Sequence, residues 1–223
     1  MHVAELWRYP VKSMAGERLR KVNLTPLGLD GDRIVHVENA RGRVVTARTH
    51  PKLLGHRAVL DAQGEPLVDS RPWTDPSVTA DIEHIAGGGA RLVLDNGAAR
   101  FDILPLLVAT DGAIAAFGYN GRRLRPNLVI GGVQGLAERT WEGKSLRIGD
   151  VLIALVDLRG RCVMTTYDPD TLAQDHRVLQ SIVRRFDGRL ALNAAVVRAG
   201  HVREGDRVEL IEPPDGAGIS APW

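Results

Sequence analysis

The sequence predicts a mainly β protein with a few helices, of the barrel or sandwich kind. Three observations point there. The first hundred of its 223 residues break into short alternating or β-branched runs. Gly, Pro and Asp-Gly turn signals separate those runs, and only two later segments carry a helical pattern. The composition agrees: 44% hydrophobic and 25% charged residues, with mean hydropathy −0.10, suit a globular chain with one large core or two small ones.

In chain order, residues 3–9 alternate in part, 21–24 alternate cleanly, and 34–37 and 44–46 are β-branched runs. Turns are expected at Pro10, Pro26-Leu27-Gly28, Asp30-Gly31, Arg41-Gly42 and Gln63-Gly64. A proline-rich polar stretch at 71–76 and the loop Gly87-Gly88-Gly89 place a change of subdomain between residues 90 and 100. Thr110-Asp111 offers an N-cap for a short helix over 113–117, which Gly118 stops. A longer amphipathic helix is expected over 169–186. Its apolar face would hold Leu172, Leu179, Ile182, Val183 and Phe186, with Gln180, Arg184 and Arg185 pointing away. Gly149-Asp150 and Gly205-Asp206 each sit between strand-like residues, as barrel turns do. The stretch 213–223, rich in proline and glycine, reads as a flexible tail.

Several function classes drop out. A net charge of +2 gives no one-signed field for nucleic acid or membrane. The excess of 25 arginines over 4 lysines is read as mostly compositional. One cysteine excludes an internal disulfide and any multi-cysteine zinc or iron–sulfur site, and seven scattered histidines show no ligand spacing. There is no lysine phosphate loop and no GxGxxG, so ATP and dinucleotides lack support. The N-terminal residues lack a signal-peptide core, and no run approaches the roughly 18 apolar residues of a membrane span. A cytoplasmic location is the expectation.

What remains is one thiol and a set of anion-binding turns. Cys162 follows Arg159 and Arg161 and precedes Asp168-Pro169, with the aspartate read as opening a helix. Positive neighbours of that kind favour a thiolate, the form that attacks electrophiles or ligates soft metals. Tyr9-Pro10-Val11-Lys12-Ser13, Gly28-Leu29-Asp30-Gly31-Asp32-Arg33 and Arg125-Pro126-Asn127 each join a rigid turn to donor groups that suit a phosphate or a polar heterocycle. Arg122-Arg123 reads as a solvated loop.

Taken in order with Thr46-Ala47-Arg48 and Gly160-Arg161-Cys162, these segments resemble the MOSC family, named for the C-terminal domain of molybdenum cofactor sulfurase. The likeness is to its amidoxime-reducing members with an N-terminal MOSC β-barrel, and it runs over residues 3–211. The resemblance implies a MOSC-type barrel plus an N-terminal β-subdomain, divided as 1–98 and 99–212, with a cleft between them. It implies that Cys162 is the catalytic thiolate and the one protein ligand to molybdenum. Lys12, Ser13, Arg33, Arg48, Thr110, Arg125, Asn127 and Arg161 would then bind the molybdopterin or its phosphate. The implied cofactor is the molybdenum cofactor, with neither an iron–sulfur cluster nor pyridoxal phosphate. The implied reaction is reduction of small N-hydroxylated compounds with electrons from a separate donor protein of ferredoxin or flavin-reductase type. The alternative is a carrier that holds the cofactor, or a persulfide sulfur on Cys162, without turning over substrate.

Overall fold

The computed structural model describes residues 1–95, 97 and 100–213. Most of the expected tail, 214–223, lies outside them. Among the described residues the expected β architecture holds: one eight-stranded sheet and three small ones, with three α-helices.

The large sheet runs in the order Glu209–Ile211, Ser145–Ile148, Val151–Gly160, Arg189–Arg198, Leu106–Thr110, Leu128–Gly131, His2–Arg8, Glu17–Leu19. Its neighbours are antiparallel except Leu106–Thr110 and Leu128–Gly131, which are parallel. A parallel pair needs a crossover, and here helix α2 (Asp111–Phe117) supplies it. Three register shifts between the two ten-residue strands, at Leu152/Ile153, Leu155/Asp157 and Leu158/Gly160, bend the sheet around its core. That core holds Val3, Leu6, Val108, Ile130, Ile153 and Leu192. Gly149 and Gly205 both adopt positive φ at the predicted turns.

The division at residue 98 is crossed by strands. His2–Arg8 lies inside the large sheet, and Gly200–Arg203 pairs with Lys21–Thr25. Chain between them builds a second, separate core of Val11, Met14, Val35, Leu53, Val68 and Ile82.

Two helical expectations are corrected. The proline-rich stretch leads into an unanticipated helix α1 (Pro76–Ala86): Asp75 accepts from the Ser77 N–H, Pro76 starts the first turn, and Gly87 ends it. The long helix starts at residue 176, not 169, as α3 (His176–Phe186) capped by Asp175. Asp168 therefore does not open a helix. Its carboxylate accepts from the N–H groups of Asp170 and Thr171, closing a turn, and Leu172 follows in the left-handed region at φ 60°. The buried face of α3 is Val178, Ile182 and Phe186, while Val183 is 57% exposed. With the start moved, Leu172 leaves the helix; Ile182 and Phe186 stay on the buried face, Val178 joins them, and Val183 faces solvent.

Candidate functional site

Cys162 sits where strand Val151–Gly160 gives way to a single 3-10 turn, Val163–Thr166. That turn closes on the cysteine's carbonyl, which accepts from the Thr165 N–H at 3.1 Å and from the Thr165 hydroxyl at 2.9 Å. The half-buried side chain lines a cleft of about 890 Å³, counting its open mouth.

Eight of the nine residues singled out in the sequence line this cleft: Lys12, Ser13, Arg33, Arg48, Arg125, Asn127, Arg161 and Cys162. Thr110 does not. Its hydroxyl is buried, accepting from the Ala113 N–H at 3.0 Å as the N-cap of α2 and donating to Glu138 at 3.3 Å. Asn127 reaches the cleft as a brace. Its Oδ1 accepts from the Leu107 N–H at 3.1 Å, and its Nδ2 donates to the Trp7 carbonyl at 3.3 Å and to Asp32 at 3.1 Å.

The backbone is bent to aim these groups. Ser13, Arg33 and Arg125 have φ of 71°, 54° and 55°, the left-handed region that costs a non-glycine residue about 1–2 kcal/mol. Strain of that kind gathers at functional sites. Arg33 and Arg125 flank the Tyr9 ring, with guanidinium carbons 5.1 and 4.2 Å from its centroid. Burial pushes the Tyr9 phenol up to about 12 against those two cations. It stays neutral and donates to the Pro126 carbonyl at 3.2 Å.

Charge dominates the lining. Among the described residues seven cationic side chains line the cleft: Lys12, Arg33, Arg48, Arg123, Arg125, Arg159 and Arg161. Three carboxylates answer them. Asp32 pairs with Arg33 and Asp168 with Arg123. Asp102 lies 2.7 Å from Lys12, 2.6 Å from Arg48 and 3.7 Å from Arg159. Seven against three leaves a surplus of four positive charges. Burial alone would raise the Asp102 carboxyl, but Lys12, Arg48 and Arg159 together hold it below its ordinary range. Asp102, with Cys162 nearby, lifts the Arg48 guanidinium above its ordinary value despite burial.

Two cations are left wanting an anion. Arg125 pairs with no carboxylate among the described residues, and burial, reinforced by Arg33, lowers it to about 10. Arg161 gives one N–H to the Leu124 carbonyl at 2.7 Å, but its Nε is buried without a partner, as is that of Arg123. Burial, then the nearby Arg159, lowers Arg161 to about 10. Both remain charged at neutral pH, and an arriving anion would repay their lost hydration.

Sequence reasoning missed Asp102, Asn193 and Met164, and misread Arg123. That last side chain is only 9% exposed, bonding the Thr166 carbonyl at 3.0 Å and Asp168 at 2.9 Å. The Asp168-Pro169-Asp170 segment held the signal, two carboxylates with no assigned cation.

The donor set fits an anionic, sulfur-seeking group. It offers one soft ligand, surplus guanidinium groups and unpaired buried N–H donors. Among the described residues no cluster of three or more His, Cys, Asp or Glu stands ready for a bare ion, so a metal held here must bring ligands with it. No helix among them is long and apolar enough to cross a membrane.

Comparison with known proteins shows relatives of this chain. Human mitochondrial amidoxime-reducing component 1 is 28% identical, over 76% of this chain and 67% of its own length. Human mitochondrial amidoxime reducing component 2 is also 28% identical, over 78% and 69%. The solved YUAD protein from Bacillus subtilis superposes with a TM-score of 0.52 over 95% of both chains at 14% identity, a likeness of fold. Residues 1–91 match the MOSC N-terminal beta barrel domain and residues 115–209 the MOSC domain, so the chain belongs to the MOSC family.

Proposed function

We propose that the cleft holds a pterin-based molybdenum cofactor and that the protein reduces N-hydroxylated compounds, amidoximes and hydroxylamines among them. The observation that carries this reading is the pairing of a single accessible thiol with a surplus of guanidinium groups in one cleft. The amidoxime-reducing relatives support it. Such a cofactor supplies two-electron redox chemistry with transfer of an oxygen atom.

The rest falls to the chain. Cys162 is the one protein ligand to the metal. Lys12, Ser13, Arg33 and Arg125 grip the phosphate and pterin, Arg125 with donors that no carboxylate competes for. Arg48 and Arg161 fix the sulfur side of the group, and Asn127 holds Arg33 and the strand ends in register. Residues 1–98 supply one set of grips and 99–212 the other, so both are needed for a complete site. The overall conversion breaks one N–O bond. Two electrons from a redox donor protein and two protons turn an amidoxime into an amidine and water.

The test is turnover. Protein from cells grown with molybdate, reduced by a viologen dye, is given benzamidoxime. Benzamidine is expected from the wild type and not from Cys162→Ser. A metal-containing wild type that makes no benzamidine, yet passes its cofactor to an apo-acceptor, would be a carrier and would overturn the reductase reading.

A further inference from the structure

Beside Tyr9 and Arg125 lies a second, smaller hollow of about 510 Å³, counting the open solvent at its mouth. It is outside the cleft already described, but Arg123, Arg125 and Met164 face both. Its character is different. Trp7 and Tyr167 contribute two rings, and Leu54, Met164 and Pro169 add apolar surface. The Trp7 indole N–H is already spent on Glu5 at 2.7 Å, so the ring offers its carbon face.

Its charge is nearly cancelled. Arg122 is paired with Asp170 and Arg123 with Asp168. Arg125, on the shared wall, is the lining cation with no carboxylate among the described residues. A ligand here therefore meets an apolar, ring-lined floor with one positive edge toward the cleft. Flat apolar rings pack well against aromatic faces. A cationic group would be drawn to those faces but repelled by Arg125, whose charge is poorly screened by water in a buried place.

We propose that this hollow is the subsite for the aromatic ring of an uncharged N-hydroxylated substrate, with Trp7 and Tyr167 setting the preference. The inference rests on the reductase reading and adds a direction to it. The oxygen on nitrogen withdraws electrons, so an amidoxime is neutral at neutral pH, whereas the amidine formed from it is a strong base and carries a proton. The hollow accepts the first and rejects the second. Reduction thus converts a ligand the site holds into one it releases.

Binding to the whole chain as purified tests this without turnover, by calorimetric titration at neutral pH. Benzamidoxime is expected to bind at least tenfold tighter than acetamidoxime, which has no ring, and at least tenfold tighter than benzamidinium. Tyr167→Ala should erase most of the ring preference and Tyr167→Phe should keep it. A readout that needs no variant is magnetisation transfer from the Trp7 indole protons to the benzamidoxime ring, expected in the wild type. A ring preference near one, equal binding of benzamidinium, no transfer from Trp7, or a Tyr167→Ala protein with wild-type preference would each overturn the proposal. Molybdenum is measured on the same samples. Metal without ring preference sinks the subsite and leaves the cofactor reading standing; ring preference without metal does the reverse.

Discussion

Arg125 shows how much the site costs a single residue. It sits in the left-handed region, gives up water, and stacks on Tyr9 in exchange. Replacing it with glycine relieves the backbone strain and loses the cation–π contact, effects of about 1 kcal/mol each and of opposite sign. Arg125→Gly should therefore unfold within about 1 kcal/mol of wild type by urea titration while retaining far less molybdenum. A structural arginine would instead lose stability and metal together. Asp102 gives the converse test. Its folded carboxyl is held below the unfolded value by three cations, so it binds its proton less readily when folded. The stability it contributes is fully present above the ordinary carboxylate range, near pH 4, and is lost as pH falls through its lower folded value. Asp102→Asn should lose about 1–2 kcal/mol at pH 7 by leaving cations unanswered, and its stability should fall less steeply through the acid limb.

At the scale of elements, α3 separates what patterning can and cannot show. Its apolar stripe was legible, because Ile182 and Phe186 recur at helical spacing; its start was not. The turn before it is closed by the Asp168 side chain, and the partner that holds that side chain, Arg123, lies 45 residues earlier in the chain. Helix α1 is the opposite case, since Asp75, Pro76 and Gly87 mark both its ends locally, yet the surrounding prolines and glycines read as loop. The same contrast holds for the cleft. Lys12, Arg33, Arg125 and Cys162 stand in short motifs and were found, whereas Asp102 owes its role to contacts across the fold. Packing gives a direct check on the corrected helix face. Ile182→Ala, fully buried, should destabilise by about 2–5 kcal/mol in chemical unfolding, and Val183→Ala, mostly exposed, by no more than about 0.5.

The whole molecule is laced together by its first strand. His2–Arg8 pairs with Leu128–Gly131 on one side and Glu17–Leu19 on the other, and Val3 and Leu6 are fully buried in the large core. A fragment of residues 99–213 lacks that strand and leaves a sheet edge open, so it should show no cooperative thermal transition, while the whole chain does. The same lacing sets Lys12 and Arg33 opposite Arg125 and Cys162, which makes the cleft a property of the entire fold. Its purpose is most directly tested by metal content. Wild type and Cys162→Ser are grown with molybdate, purified alike, and assayed for molybdenum and for the fluorescence of released, oxidised pterin. We expect both signals in the wild type and loss of molybdenum in a variant that unfolds at the same temperature; equal metal in the two proteins, or none in either, would contradict the role given to Cys162.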